Sequence, residues 1–140
     1  MSVPGAHDGI YKEFEIDLDL KRPGQYDDIM LVEGDTTNRF IINLVDHGEP
    51  IDLTGRRVMC VFSHGRGTAY QDSYSPGSNI EIKGNRVTVL LNTGSFSEGL
   101  VECELKIYGD PQTLTQVTTS RFNFMCRKGI MDEKSFESNN

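Results

Sequence analysis

Nearly every apolar stretch of this chain alternates apolar with polar residues, and a period of two marks a strand with one face buried. Between Tyr11 and Leu20, the residues Phe14, Ile16, Leu18 and Leu20 share one face while Glu13, Glu15, Asp17 and Asp19 share the other. The same parity recurs in Phe40, Ile42 and Leu44, in Val58, Cys60 and Phe62, and in Val87, Val89 and Leu91. It returns in Val101, Cys103, Leu105 and Ile107 and again in Phe122, Phe124 and Cys126. An amphipathic helix would bring apolar residues back every third or fourth position, and no long segment does so. Residues typical of turns separate the runs: Asp46-His47-Gly48-Glu49-Pro50, His64-Gly65-Arg66-Gly67, Ser75-Pro76-Gly77-Ser78 and the tight hairpin Lys83-Gly84-Asn85-Arg86. Asn92 and Thr93 can cap one helical turn reaching Glu98, too short to be stable alone.

Short strands at intervals of roughly 8–15 residues predict an all-β fold, an antiparallel β-sandwich of about seven to nine strands, with a closed small barrel as the competing architecture. The expected organisation is an N-terminal arm over 1–10, one sandwich over 11–128, and a polar, aperiodic tail or start of a linker over 129–140.

Charge and hydropathy narrow the partners. The formal charge of -7 opposes nucleic-acid binding, which needs lysine and arginine to displace counterions. The apolar run Ile29-Met30-Leu31-Val32 is far below the ~20 residues of a membrane helix, so no membrane insertion is expected. Met1-Ser2-Val3-Pro4-Gly5 lacks the charged-then-apolar pattern of a secretion signal. Cys60, Cys103 and Cys126 are odd in number and form no C-x-x-C pair, which fits folding in a reducing cytoplasm. All three fall on the apolar parity of their strands, where a thiol is buried and inert.

No catalytic or cofactor site is expected. His7, His47 and His64 lie in turn-like or terminal segments without ligand spacing, and no G-x-S-x-G, P-loop, H-E-x-x-H or EF-hand pattern occurs. The row Glu13, Glu15, Asp17, Asp19 repeats every ~6.6–6.8 Å along its strand and repels itself unless something offsets it. It reads either as a solvated face guarding an edge strand or as a docking surface for a basic partner; calcium needs oxygens converging on a point. Arg56 and Arg57 point to opposite faces, and one of them can pair with a carboxylate, worth ~1 kcal/mol or less if exposed.

The order of segments from Asp28 to Met125 resembles the N-terminal domain of the phage baseplate upper protein family. Thr36-Thr37-Asn38-Arg39-Phe40-Ile41-Ile42-Asn43-Leu44 and Ile51-Asp52-Leu53-Thr54-Gly55-Arg56-Arg57-Val58 carry it. The Lys83 to Val89 hairpin, Val101 to Tyr108 and Arg121-Phe122-Asn123-Phe124 follow in the same order. The resemblance implies an immunoglobulin-like sandwich without enzymatic activity or cofactor, a structural part of the virion that docks to the tail hub and links it to receptor-binding or fibre proteins. It also implies a homo-oligomer within the baseplate, folded and assembled in the host bacterial cytoplasm. Family members usually continue into helical, collagen-like or receptor-contacting regions; stopping at Asn140 is expected either of a piece of a longer protein or of a short member whose whole role is attachment. Glu13, Glu15, Asp17 and Asp19 are the candidate partner-binding residues. The rival from another class is a carbohydrate-binding sandwich using Tyr70 and Tyr74, with His64 and Arg66 as further loop contacts, although the chain has no tryptophan platform.

Overall fold

A computed structural model of the chain describes residues 9–24, 28–92, 96–109, 115–131 and 133–138. Among these there are eleven strands and no helix. The strands are β1 (Lys12–Asp19), β2 (Met30–Val32), β3 (Asn38–Asp46), β4 (Glu49–Pro50), β5 (Val58–His64) and β6 (Gly67–Asp72). They continue as β7 (Ile80–Lys83), β8 (Arg86–Leu90), β9 (Gly99–Tyr108), β10 (Gln116–Thr118) and β11 (Phe122–Arg127). One sheet has the order β1-β3-β8-β7, with β4 beside β3; the other runs β2-β11-β9-β5-β6, with β10 beside β9.

The expected all-β sandwich is therefore present, but its sheets are mixed and not wholly antiparallel. β1 runs parallel to β3, and β2 parallel to β11. The cause is the path of the chain: after β1 it crosses to the second sheet as β2 and returns to the first as β3. A crossover joins β1 to β3 where an antiparallel pair would use a hairpin. The strand count exceeds seven to nine for local reasons. Thr118 faces Lys106 while Phe122 faces Cys103, so one residue too many lies on the second strand and a bulge divides β10 from β11.

Strand parity fixes what is buried. Leu18, Phe40, Ile42, Leu44, Val58, Cys60, Val87, Val89, Val101 and Leu105 are all fully buried. The rings form the centre: Phe40 of the first sheet meets Phe122 and Phe124 of the second edge-on, at 5.6 and 5.2 Å between centroids. Phe96 closes this cluster against Phe62 at 4.9 Å.

The turns follow their residues. Gly84, at φ 61°, takes the first corner of the two-residue Gly84-Asn85 turn, the position at which a II′ hairpin requires glycine. In the Asp52 to Gly55 step, the Asp52 carboxylate accepts from the Thr54 amide at 3.0 Å and from its hydroxyl at 2.7 Å. That local loop drops Leu53, fully buried, into the core. Side chains then stitch the sheets together along both open sides. The Gln71 amide donates to Leu90 O at 2.8 Å and accepts from Asn92 N at 3.1 Å. On the opposite side, the Ser120 hydroxyl at the bulge donates to Asp19 O at 2.6 Å. The expected arm lies almost wholly in residues 1–8, His7 included, and the expected helical turn includes 93–95; both fall outside the described residues.

Candidate docking surface

The four carboxylates of β1 stand on the outer side of the first sheet, and β3 beside them supplies the offset that the row needs. Parallel register places Glu13 against Arg39, with which it forms an ion pair, and Asp17 against Asn43. The Asn43 side-chain amide donates to Glu15 at 3.2 Å and to Asp17 at 3.0 Å, while its oxygen accepts from Arg86 Nε at 3.1 Å. Among the described residues, positive charge thus reaches Glu15 and Asp17 only through a neutral amide. Asp19 differs, because its carboxylate accepts three backbone amides, from Lys21 at 2.8 Å, Arg22 at 2.9 Å and His47 at 3.2 Å. Those bonds, Lys21 first, hold its carboxyl below the usual range. Asp19 closes a turn, whereas Glu13, Glu15 and Asp17 face solvent.

A second charged centre sits at the far end of the second sheet. The Arg57 guanidinium grips Asp72 with Nε at 3.1 Å from Oδ1 and Nη2 at 2.5 Å from Oδ2. It lies over Tyr108 at 4.9 Å and Tyr74 at 5.8 Å, a cation held between two rings. Asp72 also accepts the Tyr74 amide at 3.0 Å. The Arg57 hydrogen bonds are the main reason that its carboxyl is held low, and burial opposes them. Of Arg56 and Arg57, either of which the sequence allowed to pair with a carboxylate, Arg57 does so; the Asp72 side chain is only 7% exposed, so its side of the pair is buried.

The loop residues do not converge. The ring of His64 accepts from Arg66 N at 3.2 Å and lies 3.3 Å from the Ser97 hydroxyl, and Arg66 reaches Glu33 at 3.9 Å. Tyr70 lies along β6, and Tyr74 lies beyond its other end, where its hydroxyl donates to Gly55 O at 3.3 Å. The six residues of β6 separate the His64 and Tyr74 ends by roughly 20 Å. Cys60 and Cys103 sit side by side in the core, Sγ to Sγ 3.5 Å, and burial pushes the Cys103 thiol well up. Burial likewise raises Cys126.

The structure adds a feature that parity reasoning passed over. Met125 on β11 is in register with Met30 on β2 and with Leu100 on β9, so three exposed apolar side chains cross the outer face of the second sheet in one row. Beside them, Ile29, Arg121, Phe122 and Asn123 help to line a cleft of ≈ 530 Å³. The signal was available: Met125 and Leu100 are apolar residues on the polar parity of their strands.

Two mixed sheets packed on a ring cluster, with every strongly featured surface on an outer face or an edge, define an all-β sandwich module. The chain belongs to the phage baseplate upper protein family, for the family model described as BppU N-terminal domain matches residues 12–140. Among solved structures it is similar to the N-terminal domain of phage TP901-1 ORF48, with a TM-score of 0.65 at 14% sequence identity. That alignment covers 84% of this chain and 99% of the other, which shows a shared fold. No curated protein sequence matches the chain.

Proposed function

We propose that this chain is a non-enzymatic structural component of a phage tail baseplate that docks to the tail hub and links it to receptor-binding or fibre proteins. Membership of the baseplate upper protein family across residues 12–140 carries the reading. The surface chemistry supports it: an exposed apolar row on one face and, on the other, Glu15 and Asp17, which no cation among the described residues contacts directly, suit contact with other proteins. The domain folds in the host bacterial cytoplasm, joins further copies of itself in the baseplate and ends in the virion.

The test is reconstitution. The purified chain, mixed with the tail hub protein of the same phage, is expected to co-elute as one complex of several copies by light scattering. Failure to associate at micromolar concentration would overturn the reading. A variant with Glu13, Glu15 and Asp17 neutralised should keep its fold and bind the hub more weakly, most visibly in association rate and at low salt. A second reading, a carbohydrate-binding module, draws on Tyr70 and Tyr74, which are 61% and 62% exposed. Specific retention on a glycan array, abolished by Tyr70→Ala, would favour it.

A further inference from the structure

β1 ends its sheet, and hydrogen-bond parity shows which of its backbone groups are left over. Lys12 N donates to Thr37 O and Leu20 N to Val45 O, so the even-numbered residues of β1 bond to β3. In a strand the main-chain groups alternate sides with the side chains. The N–H and C=O groups of Glu13, Glu15 and Asp17 therefore face the outer edge, where no strand among the described residues pairs with them, while the Asp19 C=O accepts from the Ser120 hydroxyl. This edge is also the longest. β1 has eight residues in unbroken register, against four in β7, three in β2 and six in β6, which end the other sides of the two sheets.

Natural edges are blunted by shortness, proline, bulges or charge, and β1 has only the last. The residues whose backbone groups face outward are also those bearing the carboxylates. A second copy of β1 pairing antiparallel would set acid directly against acid, which is destabilising. Charge of this kind repels the chain's own strand and attracts one of opposite sign.

We infer that the β1 edge, over Glu13 to Asp17, accepts an added strand from a basic partner, an extended segment alternating Lys or Arg with apolar residues. The basic residues lie beside Glu15 and Asp17, which no cation among the described residues contacts directly, and the partner's backbone completes the ladder. This deepens the docking role proposed above and rests on it for the identity of the natural partner, though not for the chemistry of the edge.

The test uses the full chain and amide hydrogen exchange read by NMR. A short, end-capped peptide alternating Lys and Val is expected to slow exchange at Glu13, Glu15 and Asp17 by roughly tenfold or more, and a matching Glu and Val peptide to do nothing. Glu15→Pro removes one outward N–H that β3 does not use, a position where an edge strand tolerates proline, and should abolish the protection. Unchanged exchange at Ile42 and Val89 reports that the fold is intact. Should that variant unfold, the E15Q/D17N pair decides instead, with an expected loss of roughly tenfold in peptide affinity. Binding that leaves these three amides unprotected, or no binding at saturation, overturns the inference. In the hub complex, protection of the three amides supports it, and free exchange at them overturns it while leaving the baseplate reading intact. If the hub fails to bind at all, the baseplate reading falls, and the peptide still decides the edge.

Discussion

Asp72 and the pair Glu15 and Asp17 are carboxylates on the outer sides of opposite sheets, yet their surroundings give them opposite uses. Asp72 is closed off by a two-pronged arginine, two tyrosine rings and a backbone amide. Glu15 and Asp17 are held by the N–H groups of one neutral amide and stay exposed. A guanidinium cancels the charge that it orients; an amide orients the charge and leaves it in place. The first arrangement stabilises a fold, and the second presents a surface.

The harshest way to erase this contrast is to remove what both faces stand on. Phe40→Ala deletes the ring that joins Phe14 of its own sheet to Phe122 and Phe124 of the other, and is expected to cost about 3–5 kcal/mol in denaturant unfolding. Asp72→Asn attacks one side only. It leaves Arg57 without its counter-ion and should cost about 1–3 kcal/mol, with no loss of binding at the β1 edge. Acid sharpens the same point. The Asp72 carboxyl titrates lower when folded than when unfolded, so its stabilisation is complete above the unfolded value near ~3.9 and disappears as pH falls through the folded one. Acid unfolding of the unaltered chain should therefore be steeper below about pH 4 than that of D72N, as followed by circular dichroism. Asn43→Ala, a milder change, removes the shared amide and should lower stability by about 1 kcal/mol while loosening the Glu15 and Asp17 side chains.

Much of this was legible in the sequence because burial on a strand is a parity rule. It placed Phe40, Cys60, Cys103, Phe124 and Cys126 inside, and the Asp52-Leu53-Thr54-Gly55 step was readable from side chains that bond their own backbone. Parity says nothing about which strands become neighbours. The parallel β1 and β3 pair depends on a crossover through the other sheet, so the residues that offset the acidic row, Arg39 and Asn43, could not be assigned to it. Asp19 belonged to the row by spacing and left it by context, since its strand ends there and three amides turn toward its carboxylate. The row Met30, Met125, Leu100 needs β2 to lie beside β11, again a pairing between residues distant in the chain.

The smallest expected effect makes the sharpest test of the contrast. Glu15 and Asp17 are two residues apart on one face and accept from the same Asn43 nitrogen at 3.2 and 3.0 Å, so their charges lie within the ~8 Å screening length at physiological salt. The Asn43 amide orients both carboxylates without cancelling either charge, so some repulsion should persist in the folded state. E15Q/D17N removes that repulsion, and the replacement side chains can still accept the amide hydrogens. The variant should gain no more than about 0.5 kcal/mol at low salt, and the gain should vanish in 1 M salt, where the screening length is ~3 Å. Denaturant midpoints at the two salt concentrations measure it. A loss of stability that persists at high salt would mean that the two carboxylates are part of the fold after all, as Asp72 is, and the distinction between the two regions would collapse.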